Sequence, residues 1–170
     1  MSDTRPADPA TQAEFRKLMS LFATGVCVVS FDMPEAEHGI SGMTVNSLVS
    51  VSLDPMLVCW NLQNSASQYE EYLEAEDFAI SILAGDQQAL ARRYAARGDS
   101  ALTPADFRRT SNGMPVIRDA LATIECRRWA AHPAGDHTLI LGEVQAMETS
   151  GSGEPRALGF FNGHFRAIDG

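Results

Sequence analysis

Short β-branched and aromatic runs recur along this chain at intervals too close for helices to stand between most of them, and that spacing constrains the fold more than any other feature. Val26–Phe31, Ile40–Met43, Leu48–Leu53, Met56–Leu62 and Phe78–Leu83 each read as a strand, because side chains of this type pack well on a pleated surface. Leu121–Trp129 and Thr138–Met147 read as two long strands flanking the turn-prone His132-Pro133-Ala134-Gly135-Asp136, and a last strand pair centres on Phe160 and Phe165. Helical spacing is rarer. Phe15, Leu18, Met19 and Phe22 fall at i, i+3, i+4 and i+7 behind Thr11 and Glu14, a capping-box pair, and Gly25 is expected to end that helix. A second helix is expected near Gln68–Ala75, where Ser67 and Glu70 repeat the capping box, and a third, capped by Asp86, carries Leu90, Arg92, Arg93 and Tyr94. Without strict strand–helix–strand alternation a doubly wound parallel sheet is disfavoured. The pattern predicts a mostly β fold, an antiparallel barrel with a few peripheral helices.

At 170 residues the chain is sized for one domain around one core. Residues 1–10 are expected to form a flexible arm and 11–170 a single domain. Gly98, Pro104, Gly113 and Pro115 mark a polar loop, and Gly151-Ser152-Gly153-Glu154-Pro155 sets off the final strand pair.

Charge narrows the partners. Thirteen Lys and Arg stand against 22 Asp and Glu, a net charge of −9, which opposes attraction to nucleic acid or anionic lipid. A phosphate-bearing ligand would therefore need a local cluster of donors. No apolar run is long enough for a membrane span and the first residues lack signal-peptide character, so a cytoplasmic location is expected. Cys27, Cys59 and Cys126 are few, far apart and set in apolar stretches, which points to buried reduced thiols rather than disulfides or zinc.

Several chemistries have no motif to support them. No phosphate-binding glycine loop follows a strand, no Gly-x-Ser-x-Gly elbow occurs, and His38, His132, His137 and His164 lack ligand spacing. What stands out is Gly42-Met43-Thr44-Val45-Asn46-Ser47, a run of small, amide and hydroxyl side chains between two strands, followed by Ser50 and Ser52 alternating with Val49, Val51 and Leu53. Such a run is either a β-arch whose polar side chains bond nearby backbone or the wall of a ligand site.

In wording, the chain resembles the short flavin reductases built on an FMN-binding split barrel, many of which supply reduced flavin to two-component monooxygenases. The resemblance spans about residues 15–166. It is carried by Phe22-Ala23-Thr24-Gly25-Val26 with Val28-Val29, Gly42-Met43-Thr44-Val45-Asn46-Ser47, Ser50-Val51-Ser52-Leu53-Asp54-Pro55, and Asn64-Ser65-Ala66-Ser67. Leu90-Ala91-Arg92-Arg93-Tyr94-Ala95 and Gly135-Asp136-His137-Thr138-Leu139 with Gly142-Glu143-Val144 complete it.

The resemblance implies a six-stranded antiparallel split barrel and a homodimer with flavin near the subunit interface. It implies FMN or FAD as one cofactor and NADH or NADPH as the other. Thr44, Val45, Asn46 and Ser47 match the segment that hydrogen-bonds the isoalloxazine ring, whose oxygens and N5 need donors and whose N3–H needs an acceptor. Ser50, Ser52, Ser65 and Ser67 match positions at the ribityl and phosphate end, and Arg93 is the candidate cation there. His137 matches a histidine beside the nicotinamide. His164 and Phe165 depart from the Arg and Tyr that relatives often carry, which bears on substrate choice. Trp60, large for its strand, either fills the core or narrows a pocket.

Hydride transfer from nicotinamide to flavin needs no protein base, so the expected work is stacking two rings and excluding water. The expected activity is NAD(P)H:flavin oxidoreduction feeding a monooxygenase. Two alternatives stay open at this point. One is a flavoprotein that retains FMN and reduces another acceptor, such as a metal corrinoid; the other is a flavin- or haem-binding module without turnover.

Overall fold

The computed structural model describes residues 8–96, 102–150 and 156–168. Helix α1 (Pro9–Met19) leads into β1 (Thr24–Gly25), β2 (Cys27–Asp32), β3 (Ile40–Val45), β4 (Val49–Leu53) and β5 (Met56–Gln63). Then come α2 (Tyr69–Glu74), β6 (Asp77–Ile82), α3 (Gln88–Arg93) and the short pair β7 (Phe107–Arg109) and β8 (Pro115–Ile117). Two long strands, β9 (Ala122–Ala134) and β10 (His137–Thr149), precede the closing hairpin of β11 (Ala157–Phe161) and β12 (His164–Ile168).

The expected mostly β, antiparallel architecture is present. Seven strands hydrogen-bond in the order β3-β2-β6-β9-β10-β5-β4, seven where the resemblance implied six, and β1-β11-β12 form a smaller sheet beside them. Every neighbouring pair is antiparallel. The inner face of the large sheet encloses the main core, with Val29, Phe31, Val45, Val58, Leu62, Ile80 and Ile140 around Trp60. Trp60 is 1% exposed and meets Tyr72 and Phe78 edge-on at 5.6 and 6.0 Å, so it fills the core, where such ring pairs add about 0.5–1.5 kcal/mol each. A second cluster on the other side of β2 packs Val26 and Val28 against Leu83, Tyr94, Leu102, Ile117 and Leu158, which seats α3 and the β11–β12 hairpin.

The β9–β10 hairpin turns through only Gly135 and Asp136, so the segment expected as a loop is mostly strand. Irregularities at Leu141/Gly142 and Val144/Ala146 bend it around the core. At the first of these a side chain has no room: a Cβ on Gly142 would sit 2.6 Å from Phe78 Cζ and 2.9 Å from Cys126 Cβ.

Helix ends differ from expectation. Asp8, not Thr11, caps α1, accepting from the Ala10 and Thr11 amides at 3.0 and 3.1 Å while drawing in the Thr11 hydroxyl at 2.7 Å. Asp8-Pro9 wins because proline presets the first helical φ and aspartate offers two acceptor oxygens. The helix stops at Ser20, since Thr24 and Gly25 pair with Phe160 and Gly159 instead. Neither Ser67 nor Asp86 caps its helix; Gln87 precedes α3 and spends its side chain on the Ala84 amide and the Arg118 carbonyl. Gly98 and the Gly151–Pro155 run lie outside the described residues. All three cysteines are buried free thiols, and burial pushes those of Cys27 and Cys126 up to about 12. Among the described residues no helix is long and apolar enough to cross a membrane.

Candidate functional site

The run singled out in the sequence lies where the large sheet is split. Thr44 and Val45 end β3, and Asn46, Ser47 and Leu48 carry the chain across to β4 on the opposite edge. Three hollows adjoin along this crossing. The first, about 170 Å³, is walled by Gly42, Met43, Tyr94 and the Gln63–Gln68 segment with Ser65 and Ser67. The second, about 180 Å³, lies between Thr44, Val45 and Asn46 on one side and Phe160 and Phe165 on the other. The third and widest, about 660 Å³, runs from Asn46 to Val49 beneath the end of α1 and reaches Thr24 and Asn61. Ala95 is common to the first two, and Asn46 and Phe160 to the last two, so they form one groove.

Local hydrogen bonds hold the crossing. The Thr44 amide donates to the Tyr94 carbonyl at 3.0 Å and its hydroxyl to the Ala91 carbonyl at 2.9 Å, which docks the end of α3 on β3. Ser47 Oγ accepts the Asn61 amide at 3.0 Å, tying the crossing to β5. Asn46 is exposed in the groove, whereas Val45 turns into the core. Thr24 Oγ1 is buried in the wall of the third hollow without a hydrogen-bond partner.

Behind α3 sits an anchor that sequence reasoning missed. Asp106 accepts from Tyr94 Oη, from Thr103 Oγ1 at 2.9 Å and from Arg93, with which it forms an ion pair. Burial alone would raise the Asp106 carboxyl, but the Tyr94 and Thr103 hydrogen bonds and the Arg93 charge outweigh it and hold the group below its ordinary range. Nothing in the local pattern marked Asp106, because Arg93 and Tyr94 lie 13 and 12 residues away and only Thr103 is close to it in sequence.

A second clasp joins the serine segment to the long hairpin. Asn64 receives the Thr138 hydroxyl at 3.0 Å and gives its side-chain amide to the Gly135 carbonyl at 3.2 Å, while its backbone amide donates to the Asp136 carbonyl at 3.0 Å. Tyr69 Oη adds a 2.8 Å bond with Thr138 Oγ1. His137, first residue of β10, pairs with Gln63 across the strands, so the hairpin tip stands next to the first hollow. Its Nδ1 lies 2.8 Å from Asp136 Oδ1, and this contact, before the weaker field of Arg16, lowers the Asp136 carboxyl.

Of the residues expected at a site, the structure brings Thr44, Val45, Asn46, Ser47, Ser65 and Ser67 to the groove. His137 stands at its edge. Ser50 and Ser52 line none of the three hollows: an irregularity at Val51 breaks the alternation of β4, and Ser52 Oγ instead accepts the Asp54 amide at 3.2 Å. Arg93 lines none of the three hollows and pairs with Asp106. Its neighbour Arg92 is the nearer cation, with its guanidinium 5.2 Å from the centroid of Phe165, a wall of the second hollow. Phe165 in turn packs on Phe160 at 5.3 Å.

Comparison with known proteins agrees with this geometry. Residues 19–169 match the model of the flavin reductase like domain. The FMN reductase (NADH) SmoA of Agrobacterium fabrum is 48% identical over 130 residues, 76% of this chain and 72% of that protein. The NADH:FAD oxidoreductase SgcE6 of Streptomyces globisporus, solved in complex with NAD and FAD fragments, superposes with a TM-score of 0.84 at 31% identity, covering 97% of each chain. The styrene monooxygenase flavin reductase of Pseudomonas putida S12 superposes with a TM-score of 0.78 at 33% identity, over 91% of this chain and 97% of that one. A split antiparallel barrel with the Thr44–Ser47 crossing at its opening, matched along nearly its whole length, makes this chain a member of the flavin reductase like family.

Proposed function

We propose that this protein is an NADH-dependent flavin oxidoreductase that delivers reduced FMN or FAD to a flavin-dependent monooxygenase. The observation that carries the reading is the position of the Thr44–Ser47 crossing, a strip of amides and short polar side chains that walls the second and third hollows of one groove. A flavin fits such walls. Its ring is apolar over both faces and polar along one edge, and the groove sets Val26 and Phe160 near the Asn46 amide and the partnerless Thr24 hydroxyl. Thr44, Val45, Asn46 and Ser47 would hold the ring edge, and Ser65 and Ser67 the ribityl and phosphate end.

Bound flavin supplies the hydride acceptor and the nicotinamide the donor. The chain's own part is to bind, orient and exclude water. Phe160 and Phe165 close one side of the second hollow, and the clasp at Asn64 keeps the His137 hairpin beside the serine segment. His137 bonds the nicotinamide carboxamide or pyrophosphate.

The working form is a homodimer. Helix α1 buries no residue within the chain: its Phe15 and Leu18 are 63 and 62% exposed, Phe22 just beyond it is 69% exposed, and on β4 Val49, Val51 and Leu53 remain 55, 52 and 89% exposed. So much open apolar surface beside the third hollow suits a second copy of the same chain. The three reduced cysteines fit a cytoplasmic location.

The test is NADH oxidation by purified protein with and without added FMN under anaerobic conditions. Oxidation that depends on flavin supports the reading. Tight flavin binding without any NADH oxidation overturns it.

A further inference from the structure

The groove is unlike the rest of this acidic chain. The sequence holds 13 Lys and Arg and 22 Asp and Glu. Yet among the described residues that line the three hollows, Arg16 is the single charged side chain, and no carboxylate is present. A wall cleared of acids in a chain of this composition is selective for an anion, since an aspartate or glutamate there would repel one through a medium less screening than water.

Arg16 reaches the third hollow from the last turn of α1 and takes part in none of the ion pairs among the described residues. Arg93 cannot serve in its place, because Asp106 neutralises it. The Arg16 charge is also felt at Asp136, on the hairpin tip that presents His137.

We propose that Arg16 is the phosphate-recognising residue of this groove and binds the pyrophosphate of the nicotinamide dinucleotide. The assignment rests on the flavin reductase reading above. Guanidinium suits the task, since its planar fork can give two parallel N–H bonds to one phosphate and remains charged at every working pH. The third hollow is the widest of the three, and Asn61 on its wall lies two residues along β5 from Gln63, the cross-strand partner of His137. The flavin phosphate takes the serine end, and the dinucleotide extends toward α1.

The experiment compares wild type, Arg16→Gln, Arg16→Lys and, as a control, Lys17→Gln, an exposed cation on the same turn that lines none of the hollows. The Kd of NADH is read from nicotinamide fluorescence without flavin, and those of FMN and riboflavin from flavin fluorescence. KM is measured for NADH and for 1-benzyl-1,4-dihydronicotinamide, a hydride donor that carries no phosphate. Arg16→Gln is expected to raise Kd and KM for NADH by about tenfold or more, as loss of a charge-assisted bond does. The benzyl donor, both flavins and Lys17→Gln stay at wild-type values, and Arg16→Lys recovers part of the loss. An unchanged NADH Kd in Arg16→Gln overturns the assignment, and so does an equal loss for both donors. A loss on FMN but not riboflavin moves the cation to the flavin phosphate and overturns it as well. If wild type itself binds neither NADH nor flavin, the flavin reductase reading falls first and takes this assignment with it.

Discussion

The hydroxyl of Thr44 donates to the carbonyl oxygen of Ala91 at 2.9 Å, across 47 residues of sequence, and so the end of α3 and the crossing that walls the groove move as one piece. Thr44→Val keeps the side-chain shape and removes that bond. A net loss of about 1 kcal/mol is expected, equal to a fall of roughly 2–4 °C in Tm for a domain of this size. Flavin Kd should rise a few-fold as α3 loosens. Calorimetry and flavin titration check both, and a variant with wild-type Tm and Kd would show that the bond carries no weight.

Asp106 gives a pH signature. Its folded carboxyl titrates below the ordinary value, so the stability it contributes is complete above that value and disappears as pH falls through the lower, folded one. Asp106→Asn mimics the protonated group. The variant should therefore be less stable than wild type at neutral pH, and the gap should close below about pH 4. Urea melts across that range measure it; a gap constant with pH would remove Asp106 as the anchor of α3.

Much of this architecture can be read directly from local pattern. The strands at Cys27–Asp32, Ile40–Val45, Met56–Gln63 and Asp77–Ile82 follow their β-branched runs, because most of each is buried on both faces and a continuous apolar run records that burial. The pair β7–β8 was hidden in what reads as a polar loop, since three residues are too few to show a period. The Thr44–Ser47 segment could be picked out because small polar residues interrupt strands. The choice between Arg92 and Arg93 could not, for it depends on Asp106, 13 residues from Arg93 and brought in only by the fold. Ser50 and Ser52 show the same limit: their alternation is plain, yet one irregularity at Val51 alters where they lie.

The apolar face of α1 predicts a particle of twice the chain mass in light scattering. Leu18→Asp places a charge on that face without touching the groove, and it should shift the protein toward monomer with reduced flavin reduction. A wild-type monomer that reduces flavin at full rate would contradict the dimer.

His137 stands beside the groove on a hairpin held by Asn64, separate from the ring-binding crossing. His137→Ala is expected to raise KM for NADH several-fold with flavin Kd near wild type, a split that reports two subsites. Steady-state kinetics with flavin titration decide the matter. Unchanged NADH kinetics would make His137 an ordinary surface residue, and an equal fall in flavin affinity would merge the two subsites into one.

The central claim is that the flavin ring binds along Thr44–Ser47, and Asn46 is the exposed side chain shared by the second and third hollows. Flavin fluorescence titration of wild type and Asn46→Ala tests it most directly. Leaving a polar group of the ring unpaired should cost about 1–3 kcal/mol, a rise in Kd of roughly 5- to 150-fold, with Tm within a degree or so of wild type because Asn46 is exposed. An Asn46→Ala protein that binds flavin as tightly as wild type would contradict the account.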